Sequence, residues 1–487
     1  RTAETSSRAT PGRMATASTS SGTKNDGGQT PGITDSPGSA PAEAGASGAA
    51  PAKPGMGGSG SSSVPGAAGS AGTSGLTTPP AGAIIAEPVD AASALFDDTV
   101  IHTFNIVIAS ADLAKIDQHP NYEESVQAGL EFDGRSYGPY RVRYKGAGGA
   151  FKPPCTDGMG GPKTGKCSLK LDFNDLDSKA RFFGLKKLNL HSMNADSSLL
   201  RDRLDYRMYR EMGVAAPRAV HARVQINGKA EGLYIAVEQI DGVFARSRFS
   251  EGGEGNVYKE IWPVHANTAN YVAALETNED QADVQHMLAF SSAVGQSRSA
   301  AERYYDRDYM LRYFAVDRVT INDDGVVRFM CADTPTGNNP PPVGNHNYYW
   351  YEEVQSGRMW LIPWDLDKSF DATSDVHIHP AWTANAACSC TEHPWYGSQM
   401  PAACDPLIKH LQSVLPEYER QVNAFLAGPF AKAHVDQLID TWSRQIRSHV
   451  EATAGQNGAP SVAQWQAGLT ELKQKIEDAR KNRGYLY

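Results

Sequence analysis

The chain has 487 residues, and its 46 Lys and Arg against 55 Asp and Glu leave a net charge of −9. That length suits two or three average domains, or one large enzyme with appendages. The acidic balance leaves no electrostatic footprint for nucleic acid, and no run of about 18 apolar residues is present to span a membrane. The first residue is Arg1 rather than Met and no signal peptide is visible, which reads as a processed or trimmed chain.

Residues 1–91 are almost entirely Ser, Gly, Ala, Thr and Pro. Such a stretch buries too little apolar surface to offset the entropy of ordering it. It reads as a disordered tether with a reach of about 50 Å. Tethers of this composition often follow the lipidated cysteine of a bacterial lipoprotein, which would put a lipid anchor upstream of residue 1; a plain disordered tail is the alternative.

The folded part is expected over 92–487. Val100–Ile108 alternates and reads as a half-buried strand, with a short helix carrying Leu113 and Ile116 after Ser110. Leu130–Phe132, the turn Asp133-Gly134 and Tyr140–Tyr144 predict a hairpin. The Gly-rich run Lys145–Ala150 follows, and such a turn can lay backbone N–H groups against phosphate. Ser168–Phe173 returns as a strand with Lys170 at its middle, either a phosphate-gripping lysine or an exposed one on the polar face. Leu188 and Leu190 share one face of a strand. Asp196 or Ser197 caps a helix with Leu200, Leu204 and Met208 at i, i+4 and i+8. Its Asp202 reads either as a partner for Lys170 or as half of a helical-surface salt bridge.

His221–Ile226 and Gly232–Glu238 flank Asn227-Gly228, the strongest short hairpin signal. After a short strand at Val257–Lys259 come helical patterns at Asp280–Phe290 and Ala300–Val319. The second of these leads to N-D-D-G at Asn322–Gly325. A Pro-rich insertion (Asn338 to Val343) is followed by two apolar runs, Asn347–Val354 and Arg358–Trp364, around the turn formers Gln355, Ser356 and Gly357. Apolar residues on both faces predict a buried hairpin. Asp323 and Asp324 precede it, Asn347 starts it, and Asp365 and Asp367 close it. Carboxylates and a carboxamide gathered at one end of a hairpin make a plausible Mg²⁺ site, since that ion takes one or two carboxylates plus phosphate oxygens. From Pro406 the chain reads as helices at Leu407–Leu415, Tyr418–Leu426, Val435–Ala452 and Ser461–Lys481, with Pro416 separating the first two.

Six cysteines, Cys155, Cys167, Cys331, Cys388, Cys390 and Cys404, fit disulfides in an oxidising compartment. The rivals are free buried thiols and a zinc site, because His377, His379 and His393 lie near Cys388-x-Cys390. The aromatic stretch around Trp382, Trp395 and Tyr396 could cover a substrate groove.

The ordered set N-x-D-G, H-N-Y-Y-x-Y and I-P-W-D-L-D-x-S-F closely resembles the CotH (spore-coat protein H) family of secreted atypical kinases. Other blocks resemble it too: R-x-R-Y-K-G at Arg141–Gly146, R-F-F-G-L-K-K-L-N-L, and G-L-Y-I-A-V-E-Q-I-D. The chain departs from it at Ala147, Gly148 and Gly149, at Asp202 where members usually carry Glu, and at Asp371 where they carry Gly. The resemblance implies an α+β, bilobal, atypical protein kinase-like fold. Residues 92–260 would be a sheet-rich nucleotide lobe and 261–487 a helical lobe with the catalytic and metal loops. It implies ATP- and Mg²⁺-dependent (or Mn²⁺-dependent) phosphoryl transfer to Ser or Thr of an extracytoplasmic protein, by a secreted or cell-surface bacterial lipoprotein. On that footing Asp324 orients or deprotonates the acceptor hydroxyl, with Asp323 as runner-up. Asn347, Asp365 and Asp367 bind metal. Lys145, Lys170 and Gly146 meet phosphate, and Glu238 to Ile240 form the hinge whose backbone meets adenine, the Glu238 side chain alternatively holding only a backbone amide or a neighbouring arginine. Two rivals stand beside this: a catalytically silent kinase-fold surface or adhesion protein, and another nucleotide-dependent transferase using D-L-D.

Overall fold

A computed structural model describes residues 83–146, 148–158, 160–249, 253–264, 267–370, 387–393 and 397–483. The described residues all fall within one compact unit. Most of the expected tether, residues 1–82, lies outside them. So do Ala147, Asp371, His377, His379, Trp382, Trp395 and Tyr396. The folded region begins before the expected boundary at 91/92: the Ile85 amide donates to the Gly213 carbonyl at 3.0 Å and Asp90 pairs with Arg218 at 2.8 Å.

The first half forms a closed barrel rather than an open sheet lobe. Its strands are β1 (His102–Ile108), β2 (Val126–Phe132), β3 (Arg135–Tyr144), β4 (Leu169–Asp172), β5 (Lys187–His191), β6 (Ala219–Ile226) and β7 (Lys229–Glu238), in the order β1-β2-β3-β4-β5-β7-β6. Neighbours are antiparallel except β1 and β6, which run parallel with Phe104 opposite Val224 and close the ring. Closure removes the exposed edges that an open sheet would carry. Helix α1 (Ser110–Gln118) follows β1, and α2 (Arg201–Glu211) lies between β5 and β6.

Period-two alternation explains how the barrel joins the rest. Phe104, Ile106, Leu130, Phe132, Val142, Leu169, Leu171, Leu188 and Leu190 fill its interior. On β7, Tyr234 and Ala236 also point inward, whereas Leu233, Ile235 and Val237 belong to a second core. Both faces of that strand are therefore buried, which is why G-L-Y-I-A-V is almost continuously apolar. The second core runs from α2 and the outer face of β7 to the C-terminal helices. With one strand serving both cores, the described residues do not separate into two lobes, which corrects the bilobal expectation.

The second half contains α3 (Gly242–Arg248), β8 (Val257–Lys259), α4 (Thr268–Ala273), α5 (Gln285–Gln296), α6 (Arg298–Ala301) and α7 (Arg307–Val319). The single helix expected over Ala300–Val319 is broken. Asp306 caps α7 by accepting from the Tyr309 amide at 2.8 Å, so a new helix starts there. Strands β9 (Phe329–Cys331), β10 (Val343–Gly344), β11 (Tyr348–Glu353), β12 (Arg358–Pro363), β13 (Thr391–His393) and β14 (Gly397–Met400) complete two small sheets, ordered β12-β11-β8 and β10-β9-β14-β13. The expected hairpin is β11–β12, with Tyr348, Tyr349, Trp350 and Tyr351 all buried. Helices α8 (Pro406–Gln412), α9 (Leu415–Ala427), α10 (Lys432–Thr453) and α11 (Val462–Asn482) end the chain. Pro416 sits in the first turn of α9, where its missing N–H costs nothing. No helix among the described residues is long and apolar enough to cross a membrane.

All six cysteines are paired, as Cys155–Cys167, Cys331–Cys390 and Cys388–Cys404, which removes the zinc alternative. Cys331–Cys390 spans 59 residues. Tying a loop of that length restricts the unfolded chain by about 4 kcal/mol in the chain-entropy picture, against about 3 kcal/mol for the 12-residue Cys155–Cys167 span. Replacing Cys331 and Cys390 by serine should lower the urea-unfolding free energy by about 4 kcal/mol; an unchanged midpoint would contradict this.

Candidate active site

The open end of the β11–β12 hairpin gathers the expected groups. The Trp364 amide donates to the Asn347 carbonyl at 3.1 Å, closing the hairpin one residue before Asp365. Asn347 and Asp365 both take left-handed backbone angles, φ 64° and 53°. Asn and Asp tolerate that region better than most residues, and such strain clusters at functional sites. The Asn347 side-chain amide donates to the Asp324 carbonyl at 2.9 Å and to its carboxylate at 3.3 Å. Its carboxamide oxygen is then the atom left to meet a cation.

Asp324 is held by the end of α7. The Asn322 amide donates to the Asp317 carbonyl, and its side chain to the Asp317 carboxylate, at 3.1 and 3.2 Å. Tyr209 of α2 donates to the same carboxylate at 3.3 Å. Gly325 must be glycine, since a Cβ would sit 2.5 Å from the Asn322 amide nitrogen. The two candidate aspartates then part company. Asp323 is 1% exposed, with Arg328 at 3.7 Å. Asp324 is 28% exposed, with His346 Nε2 at 2.8 Å and Arg328 at 3.3 Å. Burial works against its charge, but the His346 hydrogen bond and the charges of His346 and Arg328 hold its carboxyl down to about 2. His346 is in turn raised above its ordinary value, because the bond and charge of Asp324 outweigh burial.

The loop after β12 is fastened to α2. The Asp365 amide donates to the Tyr206 hydroxyl at 3.0 Å, and Ser369 donates to Asp205. The Phe370 amide reaches the Thr320 carbonyl at 2.7 Å. Asp367 lies nearby, pushed well above the usual carboxylate range by burial and then by the charges of Asp365 and Asp202. Asp365 also acts electrostatically on His346, Lys145 and Asp202, so the hairpin foot, the barrel end and α2 share one neighbourhood.

Lys145 follows β3 at the barrel end. Its ammonium lies 5.1 Å from the Trp364 ring centre and 3.1 Å from His191 Nε2. Burial pushes it down to about 8, with Asp365 pulling the other way. Lys170 of β4 pairs across to Arg143 and Asn189; burial and then Lys187 push it down to about 8, and the charge of Lys145 reaches it. The expected Lys170–Asp202 pair does not form. Asp202 is buried, so it is not a surface salt bridge either, and its Oδ2 lies 3.0 Å from His191 Nδ1. The Gly146 amide, expected to face phosphate, donates instead to Glu123 at 3.1 Å, and Glu123 also pairs with Arg143.

The Glu238 carboxylate lies between Arg218 and Arg248, at 2.7 and 2.5 Å, and its amide donates to the Arg218 carbonyl at 3.0 Å. The side chain thus holds neighbouring arginines, the alternative to a role beside a nucleotide, and ties β7 to its surroundings. Residues without an expected role also enter the site. Tyr206 and His191 touch the key groups, Glu260 accepts from the Asn347 amide at 3.2 Å, and the charge of Lys259 reaches Lys145. His346 stood in the motif, but nothing local in the sequence pointed to its bond with Asp324.

Among the described residues, no three His, Cys, Asp or Glu side chains form a metal-holding cluster. The available donors are hard oxygens, two or three carboxylates and one carboxamide. They suit an ion that draws the rest of its coordination from phosphate and water.

A mixed α+β fold with this loop pair at a hairpin foot, faced by a lysine from a barrel, is consistent with a kinase-like protein, the class that the family match shows. Residues 142–483 match the family model described as CotH kinase protein, and the chain belongs to that family. Inner spore coat protein H of Bacillus subtilis (strain 168) is 27% identical over 210 residues. That alignment covers 40% of this chain and 52% of the relative, so the chain spans about half the length of the curated relative it matches. The crystal structure of the Helicobacter pylori proinflammatory kinase CtkA aligns with 75% of this chain and 96% of its own, at 9% identity and a TM-score of 0.27. Overlap that slight transfers no detail.

Proposed function

We propose that this protein transfers the γ-phosphoryl group of ATP, with Mg²⁺ or Mn²⁺, to a Ser or Thr hydroxyl of an extracytoplasmic protein. The observation that carries the reading is the bond between Asn347 and Asp324 one residue-pair away from Asp365. In the reaction the acceptor oxygen bonds to the γ-phosphorus, the bond to the β–γ bridging oxygen breaks, and ADP leaves. Asp324, ionised at neutral pH, orients the hydroxyl and receives its proton as the bond forms. The Asn347 carboxamide oxygen and the Asp365 carboxylate would hold the metal, with Asp367 assisting, and a cation held there would supply positive charge against the phosphate oxygens. Lys145 neutralises phosphate charge from the barrel side, with Lys170 behind it. Asp323, sealed against Arg328, supports the loop.

The three disulfides and the spore-coat relative support an extracytoplasmic or surface location. A second reading, a silent kinase-fold surface protein, is favoured by one observation: Glu123 already takes the Gly146 amide. Titration calorimetry with ATP separates the two. Binding that requires Mg²⁺ is expected, whereas heats that are null with and without the metal would leave the silent scaffold.

A further inference from the structure

Lys145 follows β3 at the barrel end, and α2 packs in the second core. His191, the last residue of β5, stands between them. Its Nε2 is 3.1 Å from Lys145 Nζ and its Nδ1 is 3.0 Å from Asp202 Oδ2. An ammonium group can only donate, and Asp202 Oδ2 can accept whether its carboxyl is ionised or, as burial favours, protonated at Oδ1. A neutral ring satisfies both neighbours in one tautomer, protonated at Nδ1 and accepting at Nε2; the other would set an N–H against the ammonium. The ring is also neutral on other grounds, since burial and the charge of Lys145 push it down to about 3.

The relay abuts the loop that carries Asp365. The Trp364 ring meets His191 edge-on at 5.7 Å and lies under the Lys145 ammonium. Asp202, Asp205 and Tyr206 fall at i, i+3 and i+4 on α2, one face of the helix. Asp205 and Tyr206 hold the loop through Ser369 and the Asp365 amide, while Asp202 holds His191. One turn of helix thus grips the loop and, through an imidazole, the lysine.

We propose that His191 is a positioning residue: it ties Lys145 to α2 through Asp202, and so fixes the lysine relative to the Asp365 loop that the same helix holds. This rests on the phosphoryl-transfer reading of the site for its consequence, but the tie itself does not.

Two substitutions and one spectrum test it. His191→Gln retains an acceptor and a donor, spaced much like the two ring nitrogens, whereas His191→Leu has neither. A hydrogen bond to a charged group accounts for about a tenfold to hundredfold effect. The Leu variant should raise KM for ATP by that factor with a smaller change in kcat, and the Gln variant should recover most of it. A merely structural role predicts instead that both variants fall together, in step with their melting temperatures. Nitrogen-15 spectra of histidine-labelled protein without nucleotide should find His191 protonated at Nδ1. Lys145→Met should then move the Nε2 resonance and leave Nδ1 protonated. An Nε2–H tautomer in the wild type overturns the proposal, as does equal ATP use by the wild-type and Leu proteins. If wild type binds no Mg-ATP while the spectrum is as expected, the phosphoryl-transfer reading fails and the tie stands. A Leu variant that does not fold leaves the wild-type and Lys145→Met spectra to decide.

Discussion

Asp365→Asn should lower transfer of labelled phosphate by at least about 10²–10³-fold, the range lost when one preorganised charge-stabilising group is removed. Asparagine is the informative replacement. Asp365 holds φ at 53°, a conformation asparagine accepts and alanine resists. The amide that binds the Tyr206 hydroxyl is backbone and survives the change. Removing one negative charge also relieves the crowd formed with Asp202 and Asp367, whose carboxyls are both pushed up by burial and by Asp365. Thermal stability should therefore hold or rise while activity collapses, the trade-off expected where like charges are packed for function. Asp324→Asn should follow in activity. Equal labelling by wild type and Asp365→Asn would end the proposed mechanism.

A large effect on stability is expected at Glu238. Replacement by alanine leaves the buried Arg248 without its carboxylate and Arg218 with Asp90 alone, and breaking such an arrangement costs about 3–5 kcal/mol. Chemical denaturation at neutral pH reads this directly, and a loss under about 1 kcal/mol would contradict the burial argument. The pH dependence has a definite sign. Burial alone would raise the Glu238 carboxyl, but Arg248 and Arg218 hold it down to about 2. Its folded value lies below the ordinary 4.5, so its contribution is present above pH 4.5 and is lost as pH falls through about 2. Glu238→Gln, which keeps the shape but not the charge, should flatten that acid limb.

What could be read along the chain was what neighbouring residues determine. The Asn227-Gly228 hairpin and the buried β11–β12 hairpin follow from turn chemistry and period. The expected start of α2 falls too early: the helix begins at Arg201, and Asp196 accepts from the Leu200 and Arg201 amides at 2.7 and 2.9 Å from a turn ahead of it. Barrel closure was not legible. It depends on β1 lying beside β6, more than a hundred residues on, and parallel pairing leaves no turn to announce it. The break between α6 and α7 was hidden for a subtler reason: the apolar stripe runs through it, and only the Asp306 cap marks the new start. At the site, Asn347, Asp324 and Asp365 stood out because motif order singled them out. His191 and Tyr206 did not, since their partners are set by the packing of a helix on a barrel. At Glu238 the run matching a family pattern says where the residue is, and the Arg218 and Arg248 pairs show which neighbours claim its side chain.

Strand β7 carries one last implication. A strand with an interior on either side cannot shift without disturbing both at once. Any opening along that line would break contacts in two cores rather than one.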